Sequence, residues 1–485
     1  MNRQIRRLGI VLVVLFVALF LNLNYLQVVD AKRLNDHPTN TRAVVRDFSQ
    51  PRGVIQTSDG TVLAESAPTG GQFKNQRTYP QANLYSHITG YFSFNFGSGG
   101  VERTYNDALT GRTNNLSFDR IGDWLLQRQR TANVSLTLSN DVQHVAADAL
   151  GDQKGAVVAL DPRNGAILAM ADYPTFDPNP LASHDLKAAT ADWNQLNADA
   201  GKPLLSRAYR ERYFPGSSFK VVTAATALQS GEATVDEPVF PELSELPLPQ
   251  SSQPISNFAG ETCGGPLPEA LRVSCNTSFA QLGLDLGGAT LSDGADSFGF
   301  KQVPPIDLPF GAASLFPGPD AFVRDKPALA KSAIGQQDVQ ATPLQMALVA
   351  AGIANNGTVM TPHVMKEIRD SEGEVIESYD PHPWKEAVRP EVASTTRDMM
   401  VGVVQSGTGT RAQLPDVEVA GKTGTAQTGR NTSHVWFIGF APAEAPRVAV
   451  AVMLEDQPNV NEATGGVLAA PIAAQVLQAA LAMNP

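Results

Sequence analysis

Cysteine is almost absent from this chain: Cys263 and Cys275 are the only two among 485 residues. They allow one disulfide at most. Basic runs are missing beyond the first seven residues, and 37 Lys and Arg stand against 48 Asp and Glu, which argues against nucleic acid as a partner. Long hydrophobic runs are missing too, apart from one near the N-terminus, so the sequence offers a single membrane span. There is no internal repeat, no low-complexity tail, and no motif that calls for a metal or a cofactor.

What is present begins with that apolar run. Arg3, Arg6 and Arg7 precede an unbroken stretch over residues 8–21 that extends to Val29, interrupted by Asn22, Asn24 and Gln27. No small-residue cleavage site follows, because Leu23-Asn24-Tyr25-Leu26-Gln27-Val28-Val29 is bulky throughout, so an uncleaved anchor is expected over 8–29. Arginines before the span keep residues 1–7 in the cytoplasm and put the rest outside. Asn22 and Asn24 mark the interface or offer hydrogen bonds to another membrane helix.

The length suggests two or three units. Residues 30–135 are polar, hold no catalytic cluster, and read as a non-catalytic N-terminal domain. Residues 51–64 predict a hairpin around Asp59-Gly60. Residues 102–111 predict a helix stopped by Gly111. Arg52 and Glu102 are either an ion pair or two solvated charges. Residues 136–485 read as the catalytic domain. A strand is expected over 134–138, a helix over 142–150 capped from Ser139-Asn140-Asp141, and a hairpin from 155–160 and 166–171. Three further strands are expected over 419–426, 434–440 and 447–454, with a closing helix over 470–483. Strands at both ends with helices between them give an α+β fold with one sheet assembled from both ends. Residues 238–265 read as a long surface excursion, and 341–348 as a helix start with proline in its first turn, continuing to a stop at Asn355-Asn356-Gly357.

The chemistry lies in three short stretches. Phe214-Pro215-Gly216-Ser217-Ser218-Phe219-Lys220 places Ser217 in the first turn of a helix and Lys220 at i+3 on the same face. A serine hydroxyl needs a base within reach, and a lysine amine serves if burial and neighbouring positive charge lower its pKa. Downstream come Ser274-Cys275-Asn276 and Lys422-Thr423-Gly424-Thr425. Each pattern alone is ordinary: a serine-asparagine pair commonly caps a helix, and a strand lysine is usually solvated. Ser93-Phe94-Asn95 shows how easily one arises, and it precedes the nucleophile. The ordered triple is far more specific.

In this reading Ser217 attacks a carbonyl and Lys220 accepts its proton. The amides of Ser217 and Thr425 form an oxyanion hole. Ser274 relays a proton to the leaving amine, Asn276 holds a substrate amide, and Lys422 with the Thr423 and Thr425 hydroxyls receives a carboxylate. Cys263 and Cys275 either form a bridge tying the excursion to the site's rim or remain two buried thiols.

With these stretches, and with Arg52-Gly53-Val54-Ile55, Leu109-Thr110-Gly111, Ser206-Arg207-Ala208, Ile334-Gly335-Gln336 and Trp436-Phe437-Ile438-Gly439, the chain resembles the class B penicillin-binding proteins over nearly its whole length. The resemblance implies a mainly antiparallel five-stranded sheet covered by helices on both faces, with an all-helical subdomain. It implies a small elongated N-terminal domain and one transmembrane helix before that. It also implies D,D-transpeptidation of peptidoglycan stem peptides through an acyl-enzyme, β-lactam acylation of Ser217, a plasma-membrane location and a polytopic glycosyltransferase partner. The family usually has glycine where this chain has Gln337, which puts the local turn in doubt. Rival readings are a β-lactamase, a D,D-carboxypeptidase with the same donor chemistry, and a non-catalytic β-lactam-binding sensor or scaffold.

Overall fold

The computed structural model describes residues 2–30, 45, 48–70, 73–112, 131–429, 431–458 and 462–483. Parts of the expected N-terminal domain, 31–44 and 113–130, lie outside them. The chain divides into two compact units, Met1–Pro51 with Ala67–Gln76, and Arg52–Ser66 with Arg77–Pro485.

In the first unit, α1 (Asn2–Asn24) runs on into a wider turn over Tyr25–Val29. Within Arg3–Val28 the most apolar 18-residue stretch has a mean hydropathy of 2.4, and none of that stretch is buried. At ~1.5 Å per residue Arg3–Val28 is long enough for the ~30 Å apolar layer of a bilayer. Asn24 donates one amide hydrogen to the Phe20 carbonyl one turn back, at 2.8 Å.

Two sheets among the described residues have more than two strands. In the six-stranded one, Ile55–Gln56 pairs antiparallel with Val62–Pro68 around Gly60, whose φ of +86° is the left-handed backbone an Asp-Gly turn requires. Asn133–Leu136 lies parallel to Ile55–Gln56 and antiparallel to Met365–Arg369, which in turn pairs with Val375–Ser378. The strand expected to open the catalytic domain therefore belongs to a sheet shared with the preceding segment. That pairing is non-local and leaves no trace in strand periodicity. The expected helix over 102–111 is two short ones, Gly100–Thr104 and Asn106–Leu109, broken at Tyr105, whose hydroxyl donates to Asp307 at 2.6 Å.

Arg52 and Glu102 are an ion pair at 2.8 Å, both buried, and Arg77 joins Glu102 from the other side. Burial pushes the Glu102 carboxyl upward, but the two guanidiniums outweigh it and hold the pKa below its ordinary value.

The five-stranded sheet consists of β1 (Gly155–Leu160), β2 (Ile167–Tyr173), β3 (Ala420–Gln427), β4 (Thr432–Ala441) and β5 (Val448–Pro458), in the order β3-β4-β5-β1-β2, antiparallel throughout. Its central strands read as near-continuous apolar runs because both faces are covered. Val157, Val435, Phe437 and Val452 point into one layer with Val142 and Ala146 of α2 (Asn140–Leu150), and that layer is closed by Ile472 and Val476 of the C-terminal helix Ala470–Ala482. Val158, Trp436, Ile438 and Met453 point the other way. There they meet the buried faces of α3 (Lys220–Ser230), α4 (Asn276–Ser297) and α5 (Pro343–Ala354). The side-chain alternation of a strand thus builds two cores from one sheet. Leu344 to Ala354 are buried without exception, as expected of a helix sandwiched in the interior.

Candidate active site

Ser217 does not lie in the first turn of an α-helix. It sits in a tighter 3-10 turn, Gly216–Phe219, that leads into α3 at Lys220. The turn packs against the edge strand β3. Gly216 has a φ of +53°, and a side chain there would come within 2.7 Å of the Thr425 carbonyl oxygen. Gly424 answers from the strand, where an added Cβ would approach the Pro215 carbonyl to 2.7 Å. Two glycines face to face let the Ser217 turn and the strand touch through backbone. The N–H and C=O of a strand residue point to the same side, so the Thr425 amide shares its carbonyl's direction toward the Ser217 turn. The indole of Trp436 fixes the turn from beneath, donating to the Phe214 carbonyl at 2.9 Å.

The two lysines are wholly buried. Lys220 Nζ donates to the Ser274 carbonyl and to Asn276 Oδ1, each at 2.7 Å. Lys422 Nζ donates to Ser274 Oγ and to the Thr423 carbonyl, each at 2.9 Å. Ser274 therefore sits between the two amines, and its φ of +62° puts it in the left-handed region that a non-glycine residue rarely occupies. Burial holds the Lys220 pKa well below its ordinary value, and the neighbouring Lys422 lowers it further. Burial pulls Lys422 down to about 7.

Thr423 Oγ1 shares a 2.6 Å hydrogen bond with Thr408 Oγ1, and the Thr425 hydroxyl accepts from the Gly465 amide at 3.3 Å. Thr408, Thr464 and Gly466 line the cleft beside Ser217, Asn276 and Thr423, enclosing about 320 Å³. No motif singled out Thr408 or residues 464–466. They arrive from distant loops, and only the folded sheet reveals them.

The excursion over 238–265 is better ordered than its composition suggests. It carries short strands at Phe240–Leu243, Glu245–Leu246, Ile255–Ser256 and Cys263–Gly265. Cys263 and Cys275 are bonded, with Cα atoms 5.8 Å apart. Asn257 adds a second tie, since its Oδ1 accepts from the amides of Asn276 at 2.9 Å and Thr277 at 3.0 Å. The first amides of α4 are thereby capped from another segment. Phe258 and Glu261 follow and form one wall of the cleft. The turn after Gly335 is kept without glycine, with Gln337 at a φ of +64°. Ser93 lies on the short strand Phe92–Ser93 and does not line the cleft.

Residues 155–478 match the penicillin binding protein transpeptidase domain, and residues 52–134 the penicillin binding protein A dimerisation domain. The chain is 41% identical to peptidoglycan D,D-transpeptidase PbpA of Mycolicibacterium smegmatis over 99% of both chains. It is 38% identical to PbpA of Mycobacterium tuberculosis over the full length of each. Among solved structures, the imipenem acyl-enzyme complex of M. tuberculosis penicillin-binding protein A aligns with a TM-score of 0.83 and 38% identity, covering 90% of this chain and 100% of that one. A D,D-transpeptidase domain from Eggerthella lenta aligns with a TM-score of 0.78 and 37% identity, covering 89% and 98%. A serine turn, two buried lysines and a bridging Ser-x-Asn around one cleft, on a chain with these relatives, make this protein a member of the class B penicillin-binding protein transpeptidase family.

Proposed function

We propose that the chain is a peptidoglycan D,D-transpeptidase in which Ser217 is the nucleophile and Lys220 its base. The observation that carries this reading is the setting of Lys220. A neutral amine has two N–H donors and one lone pair, and the donors are taken by the Ser274 carbonyl and Asn276 Oδ1 at 2.7 Å each. Ser274 Oγ stands farther off at 3.4 Å, and in this reading the lone pair serves the Ser217 hydroxyl, three residues back. Among the described residues Ser217 has no side-chain partner of its own, and catalytic hydrogen bonds often tighten only when substrate arrives.

Ser217 Oγ attacks the carbonyl of the penultimate D-alanine while its proton passes to Lys220 Nζ. The oxyanion is met by the amides of Ser217 and Thr425, each donor contributing roughly 10² to 10³ in rate. Collapse breaks the peptide bond, and the leaving D-alanine nitrogen takes the proton from Lys220 through the Ser274 hydroxyl. An amine of a second stem then attacks the ester, and Ser217 recovers its proton as the new amide forms. Lys422, charged below about pH 7, with Thr423 and Thr425, holds the terminal carboxylate of the donor. A β-lactam enters the same path and stays on Ser217 as an ester.

Water in place of the amine makes the same centre a D,D-carboxypeptidase. Incubation of the protein with defined stem peptides separates the two by mass: cross-linked dimers are expected, and trimmed monomers alone would replace transpeptidase with carboxypeptidase.

We read 1–7 as cytoplasmic, 8–29 as a single span, 30–135 as a non-catalytic domain and 136–485 as the transpeptidase domain, in the plasma membrane with the catalytic unit outside. Arg3, Arg6 and Arg7 before α1 support that orientation. A polytopic glycosyltransferase is the expected partner, contacted through α1 and the N-terminal domain. The unburied apolar surface of α1 supports a role for it within the bilayer.

A further inference from the structure

Shortly before the nucleophile in the chain, Arg210 reaches a surface that the reaction described above does not use. Phe310 is 60% exposed there, on a backbone φ of +66° that a bulky residue rarely adopts. Glycine would take that conformation without steric cost, and the ring fills no core, so its retention points to a use at the surface. Two guanidiniums lie against the ring, Arg103 at 4.8 Å from its centroid and Arg210 at 5.4 Å. Neither has a hydrogen bond or an ion pair among the described residues. Glu211, the next residue in the chain, exerts its charge on Tyr213 instead. On a chain of net charge -11, two unpaired arginines gathered on one ring are not a by-product of composition.

Tyr91 extends this surface. Its hydroxyl has no hydrogen-bond partner among the described residues. Burial raises its pKa, and the nearby charges of Arg210 and Arg103 act against that rise. Beside it, Trp193 meets Tyr91 edge to face at 5.7 Å and stacks on Phe96 at 4.5 Å, with ring planes 10° apart. Phe96 sits between the paired strands Phe92–Ser93 and Gly97–Ser98, and Trp193 on the helix Leu186–Ala198. The rings of Tyr91, Phe96 and Trp193 are partly exposed. Guanidiniums with free N–H groups take carboxylates, and exposed aromatic rings take the apolar faces of sugars. None of these residues lines the active-site cleft or the space that opens off it.

We infer that Arg103, Arg210 and Tyr91, with Phe310 as the plate that holds the guanidiniums, bind stem-peptide carboxylates of a peptidoglycan strand away from the bond being made, while Phe96 and Trp193 seat its sugars. The choice of polymer rests on the transpeptidase reading; the pairing of anion with saccharide chemistry rests on the side chains themselves. These residues hold the strand and take no part in bond making.

The test is equilibrium binding to the full-length Ser217→Ala protein in a neutral detergent, so that no turnover intervenes. The probe is a soluble glycan strand whose stems lack D-alanyl-D-alanine, which leaves the active-site cleft without its donor end. A second strand carries the same stems with their carboxylates amidated. The first should bind about 10-fold more tightly than the second, the scale of two exposed charge contacts, and the preference should shrink as salt rises. Arg103→Gln with Arg210→Gln should bring the two strands together, and Trp193→Ala should weaken both. Phe310→Gly should weaken the first strand while the melting temperature holds or rises, a combination that damage to the fold would not give. Binding of neither strand, an undiminished preference in the double arginine variant, or arginine-dependent binding of glycerol phosphate in place of the strand overturns the inference. Penicillin acylation of the unsubstituted protein is followed alongside: its absence removes the transpeptidase reading, whereas normal acylation without strand binding removes only this surface.

Discussion

Two buried lysines within reach of one serine hydroxyl set the electrostatics at the scale of the residue. Desolvation penalises both charges, and two positive charges sharing Ser274 penalise each other, so the site favours one proton over two. Burial lowers both pKa values, Lys422 to about 7 and Lys220, with the Lys422 charge added, well below its ordinary value, so in this account the single proton rests on Lys422. The sign of the pH response follows. In the free enzyme, acylation by a carboxylate-bearing substrate should rise with pH as Lys220 loses its proton, then fall above about pH 7 as Lys422 loses its own. Lys422→Arg should remove the falling limb, because a guanidinium stays charged throughout. Lys220→Arg should abolish acylation. The pH profile of kcat/KM checks both, and a falling limb that survives Lys422→Arg would assign it to another group.

At the scale of the element, the Ser-x-Asn segment is held from two sides. The Cys263–Cys275 bond and the Asn257 cap both tie residues 255–263 to the start of α4. Replacing both cysteines by serine should cost about 2–4 kcal/mol, and Asn257→Ala about 0.5–2 kcal/mol. Both should also slow penicillin acylation, since Asn276 moves with the cap. Chemical denaturation and acylation rates measured together check this, and a stability loss with unchanged acylation would limit the excursion to a scaffold role. The elements most legible in the sequence are those with a local cause: the Asp59-Gly60 turn, the Ser139 cap, the Thr342-Pro343 helix start and the strands of the five-stranded sheet. Less legible were elements whose cause is distant. The strand at 133–136 is recruited by residues 365–369, the helix after Glu102 is broken where Tyr105 reaches Asp307, and the excursion is ordered by a bond and a cap to α4. The site shows the same division. Ser217, Lys220, Ser274, Asn276 and Lys422 are visible as motifs, whereas Thr408 and Gly465 join only when β3 forms.

At the scale of the whole molecule, the buried Arg52–Glu102–Arg77 cluster anchors the segment before the catalytic sheet. In the sequence the Arg52–Glu102 pair was one of two open readings, the other being two solvated charges, and Arg77 carried no signal. Removing the carboxylate strands two buried guanidiniums, so Glu102→Gln should cost about 3–5 kcal/mol. The Glu102 pKa is depressed in the folded state, so its stabilisation is present above the unfolded value near 4.5 and is lost as pH falls through the folded one. The stability gap between the native protein and Glu102→Gln should therefore be widest above about pH 5 and close in acid. A pH-independent gap, read from denaturant titrations, would assign the loss to packing.

The central claim, that Ser217 is acylated with Lys220 as its base, is tested most directly by peptide mapping of the penicillin-treated protein by mass spectrometry. The account predicts one adduct, on Ser217 of the peptide spanning residues 214–220, absent in Ser217→Ala and in Lys220→Arg. An adduct on Ser218, or one that persists in Ser217→Ala, would contradict it.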